Sequence, residues 1–132
     1  LSYVKFDRTR NIYQKSEHSG PHEEALTHST HSNFLPIYAN TSNALVYFST
    51  DSGKVNIKHL DQLGKTSNLN FPTAIKHFGN LKWTRDDSAI FTTINSKLFH
   101  YSMATRQWQK ITTNLERMHY VEIINSQQVI VI

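Results

Sequence analysis

"LKWTRDDSAIFTT", residues 81–93, has a near twin in "PIYANTSNALVYF", residues 36–48. Each passes from a large aromatic residue, Trp83 or Tyr38, through a polar turn into an apolar run. Setting Tyr38 on Trp83, an offset of 45, brings Ala44 onto Ala89 and Leu45 onto Ile90, with "NTSN" facing "DDS". Val55 then meets Leu98 at an offset of 43, and Ile12 stands 43 residues before Val55. "LT" at 26–27 is echoed by "IT" at 111–112, and Val129 follows Ile90 by 39. A return every 40–45 residues or so, with space for about four strands in each unit, marks a propeller blade. One four-stranded sheet cannot cover its own two apolar faces, whereas stacked neighbours cover them for each other.

The rest of the chain agrees with short strands. Runs with strand character recur from Tyr3–Asp7 to Val129–Ile132, and the best helical stretch, Asn114–Met118, is no longer than a turn. Polar turns separate them: "HSGP" at 18–21, "NTSN" at 40–43, "TDSG" at 50–53, "DQLG" at 61–64, "RDDS" at 85–88 and "NSQQ" at 125–128. The expectation is an all-β partial β-propeller of about three four-stranded blades. Residues 1–31 supply a partial blade, 32–72 and 73–115 one blade each, and 116–132 the opening of another. The chain starts at Leu1 inside an alternating stretch and ends on the apolar "QQVIVI". Exposed strand edges invite pairing. This phasing predicts a piece of a longer polypeptide, or a homodimer joined head to tail through its open blade edges into a six-bladed ring.

Charge and composition remove several classes of function. Fourteen Lys and Arg against ten Asp and Glu give a net charge of +4, scattered with no long like-charge block. That is a solvated surface, with no nucleic-acid contacts expected from this chain. With no cysteine there are no disulfides and no zinc-thiolate centres. No run approaches the roughly 18 apolar residues of a membrane span, so any membrane attachment would come through a span outside this chain. No signal peptide is visible.

Candidate chemistry is sparse. Four of the eight histidines, His18, His22, His28 and His31, fall in "EHSGPHEEALTHSTHS" beside Glu23 and Glu24. Imidazoles titrate near neutrality, so these four are candidate pH-responsive groups. Their spacing matches no metal-ligand pattern, and Gly20 and Pro21 break the helix that would bring His18 and His22 together. Asp86 and Asp87 read as turn aspartates bonded to local backbone amides. The sequence holds no nucleophile elbow and no Gly-rich phosphate loop, so no catalytic, cofactor-binding or metal residue is assigned and no cofactor is expected. Trp108 with Arg106 is a candidate partner contact, since both residue types concentrate at binding hot spots. "NTS" at 40–42 satisfies the glycosylation pattern.

The aromatic residue, polar turn and apolar strand of 81–93 and 36–48 resemble the TolB-type β-propeller repeat. The "STDSG" hairpin at 49–53 and the closing "ALT" at 25–27 and "KIT" at 110–112 are similar to it as well. The repeat's usual Pro-Asp-Gly turn is replaced here by "NTSN" and "RDDS". Such repeats occur in extracytoplasmic domains of membrane-anchored winged-helix transcriptional regulators of the CadC and ToxR type. They also occur in TolB-like periplasmic scaffolds and in propeller domains of prolyl-oligopeptidase-like peptidases. The resemblance implies a non-enzymatic, periplasmic sensor or protein-interaction domain, with a protein or small-ligand partner. The scaffold and the peptidase propeller are the alternatives.

Overall fold

A computed structural model describes residues 2–6, 10–15, 23–25, 32–125 and 128–132. The four candidate pH-responsive histidines, His18, His22, His28 and His31, lie outside the described residues. Strands form between the polar turns, as the alternating apolar runs require. In order they are β1 (Ser2–Phe6), β2 (Arg10–Lys15), β3 (Glu23–Ala25), β4 (Ser32–Tyr38), β5 (Leu45–Asp51), β6 (Lys54–Leu60) and β7 (Thr66–Asn68). There follow β8 (Phe78–Trp83), β9 (Ala89–Ile94), β10 (Lys97–Ser102), β11 (Gln107–Ile111), β12 (Val121–Asn125) and β13 (Gln128–Val131). No helix occurs among the described residues. The strands make four antiparallel meanders: β1–β3, β4–β7, β8–β11 and β12–β13. This is an all-β stack of propeller-type blades.

Strand pairing ties the repeat to geometry. Tyr38 pairs with Leu45, and Trp83 pairs with Ile90, so the offset of 45 holds across both inner hairpins. It does not hold in the next hairpin. The β5–β6 ladder has seven rungs from Leu45 to Asp51, whereas β9–β10 has five from Ile90 to Ile94, where it closes at Ile94–Lys97. Val55 and Leu98 each stand second in the strand after the turn, but with two rungs lost Leu98 falls level with Ile57 when counted from the inner ladder. Both hairpins turn through two residues with positive φ, Ser52 and Gly53 at 49° and 79°, and Asn95 and Ser96 at 50° and 65°. That is the type I′ conformation, whose twist suits adjacent antiparallel strands.

The core lies between sheets and not within one. Along β5, Leu45 and Tyr47 point to β2, where they enclose Ile12 with Leu60. The alternating Val46 and Phe48 point the other way, into a cluster with Ile57, Leu81, Trp83, Ile90, Ile94 and Tyr101. Beyond β8–β11, Leu98 meets Met118 and Val121, with Phe91, Val129 and Val131 against them. Period-two alternation thus supplies both faces of each blade. Fully burying a side chain such as Val46 or Phe48 contributes about 1.5–3 kcal/mol. Phe48 stacks on Phe78 at 4.3 Å, with Phe34 completing the group.

Polar side chains then lock one sheet to the next. Asn80 sits where the β8–β9 register slips, between Phe78 and Leu81. Its amide donates to the Val121 carbonyl at 2.8 Å and its oxygen accepts the Val121 N–H at 2.9 Å. One side chain thereby imitates a rung of backbone pairing. Asn95 does the same for the connection between blades, accepting from the N–H groups of Lys76 and His77 and donating to the Ala74 carbonyl.

Gly79 is needed beside Asn80. A Cβ there would stand 2.1 Å from the His119 carbonyl oxygen and 2.1 Å from Thr93 Oγ1. The first obstacle is backbone and cannot rotate away. Gly79→Ala should therefore displace the segment leading into β12 and loosen β12–β13 while β4–β11 stay folded. Hydrogen exchange should show amides of 119–132 losing protection ahead of those in β5 and β9; uniform loss or no change would contradict this.

Candidate functional site

The two complete blades leave a cleft between their outer strands, of about 630 Å³. One wall comes from β6, its turn and β7, through His59, Asp61, Lys65 and Asn68. The facing wall comes from β10, its turn and β11, through Tyr101, Met103, Arg106, Gln107 and Trp108. A second hollow of about 520 Å³ lies beside Ala39, Ala44 and Trp83 and shares His59, Asp61 and Met103 with the first. Together they form one groove along the gap between the blades.

Aromatic rings pack against one another beneath the cleft. Trp108 lies 5.0 Å from Phe71 at 72° and 5.0 Å from Tyr101 at 53°. Its indole N–H donates to the Leu69 carbonyl at 2.8 Å. That bond joins β11 to the end of the preceding blade and holds the two walls at fixed separation. Trp83 plays the same part nearer the axis, donating to the Ile37 carbonyl at 3.1 Å. An indole taken out of water needs such an acceptor, and here both acceptors belong to the neighbouring blade.

The charged groups sit on turns. Asp61 Oδ1 accepts the N–H groups of Leu63 and Lys65 at 2.9 and 2.8 Å, so the carboxylate folds back onto its own turn. Burial pushes the His59 imidazole below its ordinary range, and the nearby Asp61 charge opposes that. His59 packs edge-on to Trp83 at 6.0 Å. Arg106 stands at φ 56°, an uncommon conformation for a side chain of that size. Its N–H donates to the Ser102 carbonyl at 2.8 Å. The Tyr101 hydroxyl is raised by burial, with the Arg106 charge pulling it down.

Arg106 and Trp108, singled out in the sequence, thus line one cleft, with the indole half-buried between blades and the guanidinium exposed at the rim. Lys65, His59 and Tyr101 also belong to the cleft and were missed. Their only sequence signal is their position next to turns. Ser67, His59 and Asp61 are the residue types of a hydrolytic triad, and Ser67 pairs with His59 across β6–β7. No hydrogen bond among the described residues joins the three, and Asp61 is committed to its turn. Among the described residues no cluster of three metal-ligating side chains occurs.

Asp86 and Asp87 divide their work. Asp86 is the local turn aspartate that its position predicts, accepting from Ser88 N–H, Ser88 Oγ and Thr84 Oγ1. Those bonds hold its carboxyl down to about 2. Asp87 departs from that expectation, because φ 59° turns it out of the loop and across to the neighbouring blade. It accepts the N–H groups of Asn40 and Thr41, both at 2.7 Å, together with the Asn40 amide and the Thr41 hydroxyl. The two turns that the repeat sets equivalent are therefore in contact.

Antiparallel four-stranded meanders that share their cores with their neighbours define β-propeller blades. Among solved structures, TolB from Acinetobacter baumannii matches this chain with a TM-score of 0.76 over 91% of its length, at 14% identity. The chain spans 31% of that protein's length. At that identity the likeness is one of fold, and the fold is TolB-type. No family model and no curated protein matches the sequence.

The Asp87 clamp has a pH signature. Burial pushes its carboxyl up, but the four bonds from Asn40 and Thr41 outweigh this and hold it below the usual range. A depressed folded value stabilises the fold fully above the unfolded value of about 3.9, and that contribution is lost as pH falls through the folded value. Asp87→Ala should cost about 1 kcal/mol at neutral pH, the low end for such bonds because water reaches the turn. Urea titrations should also show a shallower loss of stability below about pH 4 in the variant. Parallel acid limbs would show that the clamp contributes nothing.

Proposed function

We propose that this chain is a protein-interaction module of the TolB-type propeller class, a scaffold and not a catalyst, that acts outside the cytoplasm. One observation carries the interaction reading. Each four-stranded sheet is covered on both faces, whereas β12–β13 fully buries Val121 and half-buries Val129 and Val131 against its neighbour. Alternation puts Ile130 and Ile132 on the other side, where they are 47% and 70% exposed, and Tyr120 and Ile124 are also exposed. Both faces of β4–β7 and of β8–β11 are buried by a neighbouring sheet. The occupant we assign is a second copy of the chain, continuing the stack in the manner of a ring.

The scaffold reading draws support from the TolB-type fold. The finer reading, a sensor domain of a membrane-anchored regulator, rests on the sequence phrases at 36–48 and 81–93. The sequence flanking this chain in its gene tests it, through the presence of a winged helix and one apolar span.

Equilibrium sedimentation at micromolar concentration should find dimers. Ile130→Glu with Ile132→Glu should convert them to monomers of unchanged circular dichroism, since both side chains are exposed. A wild-type chain that stays monomeric would overturn self-association.

A further inference from the structure

We propose that the cleft between β6–β7 and β10–β11 binds an extended acidic peptide segment of a partner protein. It lies between the two complete blades and not on the β12–β13 face, so it does not depend on self-association.

Charge gives the first argument. Lys65 and Arg106 stand on opposite walls, and neither has an ion-pair or side-chain hydrogen-bond partner among the described residues. The acidic residue of the cleft, Asp61, is occupied by two backbone N–H groups. Burial keeps His59 neutral at physiological pH. The cleft therefore presents two uncommitted cations to a ligand, and carboxylates are their natural partners.

The lining chooses between classes of anion. Asn70 and Gln107 place amide groups along the walls, and amides both donate to and accept from a peptide backbone, whereas the Asn68 oxygen already accepts the Asn70 N–H. Met103 offers an adaptable apolar surface for a side chain between the carboxylates. A sugar or a nucleic-acid base would instead require an open aromatic platform. Trp108 does not provide one, because Phe71 and Tyr101 both pack on it at 5.0 Å. The volume of about 630 Å³ is that of a small-ligand site and suits a few residues of peptide.

The cleft is also preformed. The Trp108 to Leu69 bond sets its width.

Isothermal titration calorimetry tests this with the full chain and a terminally blocked hexapeptide of alternating glutamate and leucine. The acidic peptide should bind, more weakly as salt rises, and its glutamine counterpart should not. Arg106→Gln and Lys65→Gln should each weaken binding about tenfold. Arg106→Gly separates binding from folding: glycine relieves the positive φ, so Tm should hold or rise while affinity falls as far as in Arg106→Gln. Equal binding of the acidic and neutral peptides would overturn the proposal. So would full affinity in Arg106→Gly, or tighter binding of an oligogalacturonate than of the peptide.

Discussion

A four-stranded sheet with apolar residues on both faces has no inside of its own, and everything else in this structure follows from that. In β5 the consecutive residues Leu45, Val46, Tyr47 and Phe48 are all buried, yet they serve two different cores. Removing a neighbouring sheet would expose one whole face to water. The stability of each blade is therefore shared with the next, in a nearly one-dimensional way. The bare outer side of β12–β13 is the same constraint left unsatisfied within this chain.

Apolar packing alone would let the sheets slide, since it has little directionality. Directional bonds fix the stack at three levels. Asp87 grips Asn40 and Thr41 at one end of the inner hairpins, Trp83 and Trp108 each reach a carbonyl of the preceding blade, and Asn80 pairs with Val121 of the following one. The cleft depends on this bracing. Its two walls come from different blades, and only a rigid join between them keeps Lys65 and Arg106 at a constant distance.

Much of the fold was legible in the sequence because strands, turns and repeats are local or periodic signals. The echo between 36–48 and 81–93 aligned Tyr38 with Trp83 and Leu45 with Ile90, and the structure adds that these equivalent positions pair with each other within each inner hairpin. Val55 and Leu98 each stand second in the strand after a two-residue turn, as their alignment expects, yet counted from the inner ladder Leu98 falls level with Ile57, because its hairpin is two rungs shorter. The cleft was half legible. Arg106 and Trp108 stood out by residue type, but Lys65, 41 positions before Arg106 at the equivalent place of the repeat, carries no sign in the sequence that it faces Arg106 across a cleft. Asp87 was expected to bond within its own turn, where Asp86 does so; a positive φ sent it to the next blade instead.

By itself the sequence determined the element type and the repeat, since alternation with period two and a return every 40–45 residues or so are written along the chain. It also determined the lack of thiol chemistry, through the absence of cysteine. Tertiary structure alone decided which face of each strand meets which neighbour, which turn grips which, and which charges stand across a cleft. These depend on how blades are stacked, and stacking joins residues some 40 positions apart through contacts that no local pattern encodes.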